Sequence, residues 1–253
     1  LEEAARAPEP RPPRPPKRRA FGPLRALLVF LAFLGTQVVA AFLMGIAAAI
    51  LNALGPKRAL TEALADAMPA ILLVSLALSG GAALLATRLL VGRPLRGVVG
   101  RRFGVQPATG HQILVGAAAG VLLGGLLLVV LLLVPPRAVE TPLTRVAATR
   151  TGFWSLVVLA LLIAPPVEEF VFRGVIYRGL RTRLPAGAAA ILVTAVFTLL
   201  HLGELSHYWP GFGLIAMLGL VTLALRVRTG SLFPAVAAHF AYNACAMSLA
   251  HPW

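Results

Sequence analysis

Residues 155–183 read SLVVLALLIAPPVEEFVFRGVIYRGLRTR. An apolar run enters, Pro165 and Pro166 interrupt it, the doublet Glu168–Glu169 follows, and the stretch leaves through Arg178, Arg181 and Arg183. How this stretch is folded decides the fold of the chain. As one continuous helix it crosses an apolar layer once. As two helices broken at the prolines it returns to the side it came from, and every later element changes sides.

The rest of the sequence selects between these. The chain has 253 residues, of which 58% are hydrophobic and 13% charged, whereas a soluble domain carries roughly a quarter charged residues. Apolar runs recur that are long enough to cross a hydrocarbon core of roughly 30 Å as helices. This predicts an all-α, polytopic transmembrane bundle of about seven spans, with eight as the alternative count. The predicted spans are 24–54, 62–91, 111–134, 152–180, 186–202, 211–225 and 231–249.

Charge tests the count. Arg11, Arg14, Lys17, Arg18 and Arg19 precede the first span. Arg93, Arg96, Arg101 and Arg102 follow the second, Arg178, Arg181 and Arg183 the fourth, and Arg226 and Arg228 the sixth. The intervening connections are mixed (GPKRALTEALAD) or lack Lys and Arg (GELSHYWPG), and the loop with Arg137, Arg145 and Arg150 fits least well. Basic residues at alternate connections place the N-terminus in the cytoplasm and the C-terminus outside, in an inner or plasma membrane of bacterial type. Only a single, long, kinked helix through residues 152–180 keeps that alternation.

The same placement disposes of a nucleic-acid reading of the net charge of +14. Cationic connections meet anionic lipid headgroups, so membrane lipids are the expected partners and nucleic acid is not. Residues 1–20 form a Pro/Arg-rich segment, expected as a disordered cytoplasmic tail before a transmembrane domain over 21–253. The apolar run after it is too long for the core of a cleavable signal. The one cysteine, Cys245, excludes an intrachain disulfide and reads as a small packing residue. Gly116, Gly120 and Gly124 recur every four residues, a smooth stripe that admits another helix closely. Internal packing is its first reading and a dimer interface its second.

Ionisable groups inside a span are costly and mark function or pairing. Three predicted spans carry them: Glu168, Glu169 and Arg173 in the fourth, His201 in the fifth, and His239 with Asn243 in the seventh. Counted from the nearest arginines at 1.5 Å per residue, Glu168, His201 and His239 lie at roughly 16–27 Å, an overlapping layer within the bilayer. Glu169 and Arg173 are four apart and share a helix face, so they can pair. Glu168 points about 100° away, with Val171 and Phe172 where a counter-ion would have to be. Glu169 is therefore expected to be structural and Glu168 free for chemistry. The prolines release backbone carbonyls, which at membrane depth are tolerated beside protein or a wet cavity. His111, His207, Tyr208, Trp209, His251 and Trp253 fall at predicted interfaces and read as belt residues.

Three motifs stand in order along these spans: EEFVFRG as E-E-x-x-x-R, FTLLH as F-x-x-x-H, and HFAYN as H-x-x-x-N. In this combination residues 150–250 resemble the CPBP family, which groups type II CAAX prenyl endopeptidases with bacteriocin-processing and Abi-type proteins. The resemblance implies an intramembrane glutamic endopeptidase, without a cofactor, acting on a peptide or lipidated protein near its hydrophobic anchor. Carried over by position, Glu168 activates water, His201 holds or polarises it, His239 and Asn243 stabilise the oxyanion, and Glu169 with Arg173 support them. The residue chemistry is sufficient for this: hydrolysis needs an activated water and donors toward the developing oxyanion, and imidazole and amide groups supply both. Two other readings stay open. Glu168, His201 and His239 are a possible zinc ligand set, and buried Glu, Arg and His equally suit an immunity, scaffold or transport protein.

Overall fold

The computed structural model describes residues 21–55, 59–91, 100, 102–137, 142–205 and 207–250, excluding the side chains of residues 142 and 204. The tail expected over 1–20, the basic residues Lys57, Arg58, Arg93, Arg96 and Arg101, and the belt residues His251 and Trp253 lie outside them. Among the described residues the chain is helical and has no strand.

Helices α1 (Pro23–Leu54), α2 (Leu60–Val91) and α3 (Gly110–Leu133) occupy the first three predicted spans within a few residues. Pro23 opens α1, where its missing N–H costs nothing. At α3, Thr109 and Gln112 form a reciprocal capping box that holds two otherwise orphaned N–H groups. A short helix, α4 (Pro142–Ala147), precedes the decisive stretch. That stretch is α5 (Arg150–Leu180), helical from end to end. The single continuous helix expected from the charge pattern is the one observed, with two wide π-type segments, Leu159–Ile163 and Glu169–Ile176.

Next come α6 (Ala186–Leu200), the one-turn α7 (Leu202–Leu205), α8 (Trp209–Thr229) and α9 (Phe233–Leu249). Five helices (α1, α2, α3, α5 and α8) are long and apolar enough to cross a membrane. The fifth and seventh predicted spans are shorter: α6 has 15 residues and α9 has 17. At 1.5 Å per residue α6 reaches about 22 Å, less than the apolar core it sits in. His201 follows directly on this short helix as its C-cap residue.

Two pairs of helices frame the bundle. α1 packs on α2, and α3 packs on α9, with α8 against α9, α6 and α3. α5 runs between the pairs and touches α1, α2 and α9. The glycine stripe belongs to the α3–α9 contact. A Cβ on Gly116 would meet the Pro234 carbonyl, one on Gly120 the Ala238 carbonyl, and one on Gly124 the Cys245 side chain. The stripe is thus filled from within the chain and is not free to receive a second copy, which corrects the dimer reading of this face. Cys245 is the packing residue it was expected to be. Outward-facing Leu24, Phe42, Leu114, Leu122 and Ile191 are exposed, as lipid-facing positions are.

One end of the bundle is tied by polar backbone contacts. Gly104, at φ 86°, accepts the Leu232 N–H through its carbonyl. Ser231 Oγ donates to the Gln106 carbonyl and Gln106 Nε2 to the Gly230 carbonyl. Gly230, at φ 71°, ends α8 in the left-handed conformation that a Cβ disfavours. This end carries Arg102, Arg178 and Arg226, with the Arg178 Nη1 donating to the Arg102 carbonyl at 2.8 Å.

Candidate active site

Local sequence first sets the backbone of α5. In its first wide segment the Ala164 N–H reaches back five residues to the Leu159 carbonyl. The next carbonyl, Ala160, would in that register be served by residue 165, a proline with no N–H. Its bond is supplied from another helix instead, by Asn243 Nδ2 of α9 at 2.8 Å. The prolines thus free a carbonyl, as the sequence implied, and a candidate site residue satisfies it. Wide turns of this kind are frequent at functional positions.

The two glutamates differ as their spacing predicts. Glu169 is fully buried and its Oε1 lies 3.2 Å from Arg173 Nη1. Arg173, also buried, donates from Nη2 to the Gly219 carbonyl of α8 at 3.2 Å and stacks over the Phe197 ring at 4.3 Å. Glu168 has a side chain 17% exposed and lines a cavity of about 830 Å³. Its Oε2 makes no hydrogen bond and lies 3.8 Å from His239 Nε2, beyond hydrogen-bonding distance.

His239 is where tertiary structure adds a contact that spacing did not reveal. Its Nδ1 lies 3.0 Å from Glu169 Oε1. A carboxylate accepts, so Nδ1 carries the proton and Nε2 is turned to Glu168. Arg173, Glu169 and His239 thereby form a buried chain that fixes the imidazole. His201 is fixed in the same way by its own helix: Nδ1 donates to the Phe197 carbonyl at 2.9 Å, leaving Nε2 as the acceptor of the neutral ring. The fully buried Phe197 ring stands between these groups, 4.9 Å from the His201 ring and 6.1 Å from that of His239.

Glu168, His201, His239 and Asn243 all line the same cavity, so α5, the end of α6 and α9 bring the four together. Glu169 and Arg173 stand behind them. The cavity also receives Gln37 from α1 and Tyr208. Gln37 escaped the motif reading, although a lone amide inside an apolar span carries the same signal that singled out Asn243. Tyr208, expected as a belt residue, donates its hydroxyl to the Val134 carbonyl at 2.8 Å and so joins the 201–208 connection to the end of α3. Among the described residues no group of three His, Cys, Asp or Glu side chains is arranged to hold a metal ion.

Residues 150–245 match the family model described as type II CAAX prenyl endopeptidase, Rce1-like. This part of the chain, less than half of it, is similar to that family. The matched region contains all three motifs and, of the polar residues on the cavity wall, Glu168, His201, Tyr208, His239 and Asn243, whereas Gln37 and the helices α1, α2 and α3 lie outside the match. No curated protein and no solved structure matches the chain. The family is one of CAAX-type proteases working in membranes, in keeping with a multi-pass helical bundle.

Proposed function

We propose that the protein is an intramembrane glutamic endopeptidase that hydrolyses a peptide bond close to a hydrophobic or lipidated anchor. The observation that carries this is the division of labour within the doublet. Glu169 is consumed by Arg173 and His239, while Glu168 has no hydrogen bond at Oε2 and faces a cavity shared with both imidazoles.

In this reading water sits between Glu168 and the Nε2 acceptor of His201. Glu168 takes a proton from it, and the resulting hydroxide attacks the substrate carbonyl carbon. The oxyanion is met by the second amide hydrogen of Asn243 and by His239 Nε2–H of a doubly protonated ring, whose charge is offset by Glu168 and then by the oxyanion itself, since Glu169 is already paired with Arg173. Glu168 then passes its proton to the leaving amine as the C–N bond breaks. Asn243 and His239 are each held through their other polar atom, so neither needs to reorganise during the reaction.

The test compares membranes carrying the wild-type chain with membranes carrying Glu168→Gln or Glu168→Ala, by mass spectrometry of protein termini. New termini that depend on Glu168, with at least a ~10²-fold loss in either variant, are expected. Full function in Glu168→Gln would indicate a binding, immunity or transport role instead. Activity is expected to survive strong chelators; loss on chelation with recovery on zinc would replace the glutamic mechanism by a metal-dependent one.

A further inference from the structure

The cavity has a floor and a mouth, and they lie at opposite ends of the bundle. Toward the arginine-bearing end it is closed by packed rings. Phe172 stands 5.2 Å from Phe197 and 6.0 Å from Phe30, and below them Phe103 lies 6.4 Å from Phe170 and 5.1 Å from Phe21. Phe21, Phe103, Phe170 and Phe172 are all buried. None of the connections bearing Arg102, Arg181, Arg183 or Arg228 contributes to the cavity wall. At the other end the wall continues through Leu205 and Tyr208 to Pro136, Leu249 and Ala250, of which the last three are exposed.

The floor end carries more arginines than the mouth end, where Arg137, Arg145 and Arg150 lie. Arg226 lies against Gly104, Arg178 is bonded to the Arg102 carbonyl, and Arg181, Arg183 and Arg228 follow them within a few residues along the same chain segments. Three separate connections thus bring their arginines to one end of the molecule. Such an excess of Lys and Arg marks the cytoplasmic side.

We infer that the active-site cavity opens away from the cytoplasm and takes its substrate and its water from the extracytoplasmic face. Resting on the protease reading above, this names the substrate class. It is a membrane-anchored protein or peptide whose cleavable segment emerges at the outer end of its anchor, not a C-terminal tail presented from the cytoplasm. The lateral walls fit such an occupant. Val38 of α1 and Leu131 of α3 both line the cavity but belong to different helix pairs, so an apolar anchor can lie between the pairs while its polar continuation reaches Glu168.

Sidedness is measured without reference to proteolysis. In a Cys245→Ser background, Met247→Cys on the cavity wall, Ala250→Cys at the mouth and Arg183→Cys at the arginine end are treated with a membrane-impermeant thiol reagent. The reagent is applied to intact cells and to inside-out vesicles, and labelling is normalised to the denatured chain. Labelling of Met247→Cys and Ala250→Cys in intact cells, with Arg183→Cys labelled only in inside-out vesicles, is expected. The opposite pattern, or a Met247→Cys accessible only from the cytoplasmic side or from neither, overturns the inference. A second readout maps the Glu168-dependent termini. Cuts on the extracytoplasmic side of anchors support the substrate class; cuts confined to cytoplasmic tails overturn it even where the labelling holds. Absence of any Glu168-dependent cut overturns the protease reading and leaves the labelling result standing.

Discussion

The residue that organises the site is Arg173. It is buried, lies against Glu169, donates to the Gly219 carbonyl and stacks on Phe197. A planar guanidinium makes these contacts together and an ammonium does not. Arg173→Met leaves the buried Glu169 carboxylate without its counter-ion, with only the His239 Nδ1–H still bonded to it, and a loss of about 3–5 kcal/mol in detergent unfolding is expected. Removing both charges in Arg173→Met/Glu169→Leu is expected to recover much of that stability, because a buried pair contributes little against apolar packing. Activity is not expected to recover with it, since His239 Nδ1 then has no acceptor. A double variant that is both stable and fully active would reduce the Arg173–Glu169–His239 chain to packing.

Within α5, the wide turn before the glutamates is coupled to α9 through one bond, Asn243 Nδ2 to the Ala160 carbonyl. Pro165→Ala restores an N–H that can serve that carbonyl from within the helix. The expected result is a chain at least as stable as wild type, since a proline leaves the helix interior, but several-fold slower because Asn243 is no longer held. Thermal unfolding and initial cleavage rate, measured on the same preparation, read the two effects separately. Pro165→Gly lacks the helix-forming gain but restores the same N–H, so it is expected to slow cleavage equally.

Across the whole molecule, the site depends on how closely α9 approaches α3. A Cβ on Gly120 would collide with the Ala238 carbonyl oxygen, one residue before His239. Gly120→Val is expected to cost about 1–3 kcal/mol by overpacking and to displace His239 and Asn243 together. Gly125→Val, at a position on the same helix with open space around it, is the control expected to be neutral. Equal effects in the two would show helix propensity, not close approach, to be responsible.

Much of this was legible in the chain alone. Transfer energetics act residue by residue, so the apolar runs and the alternating arginines determined a helical membrane bundle and a single passage through residues 155–183. The i,i+4 spacing is a local geometric fact, so it also determined that Glu169, and not Glu168, would be the one paired with Arg173. Other features arise only when separate helices are brought into register. The bond from His239 to Glu169 spans 70 residues and that from Asn243 to Ala160 spans 83. The partner of the glycine stripe and the end at which the cavity opens depend on the same assembly. No periodicity along one helix encodes its azimuth and height relative to another; interlocking side chains and the exclusion of unpaired polar groups set both, and they act only in the assembled bundle.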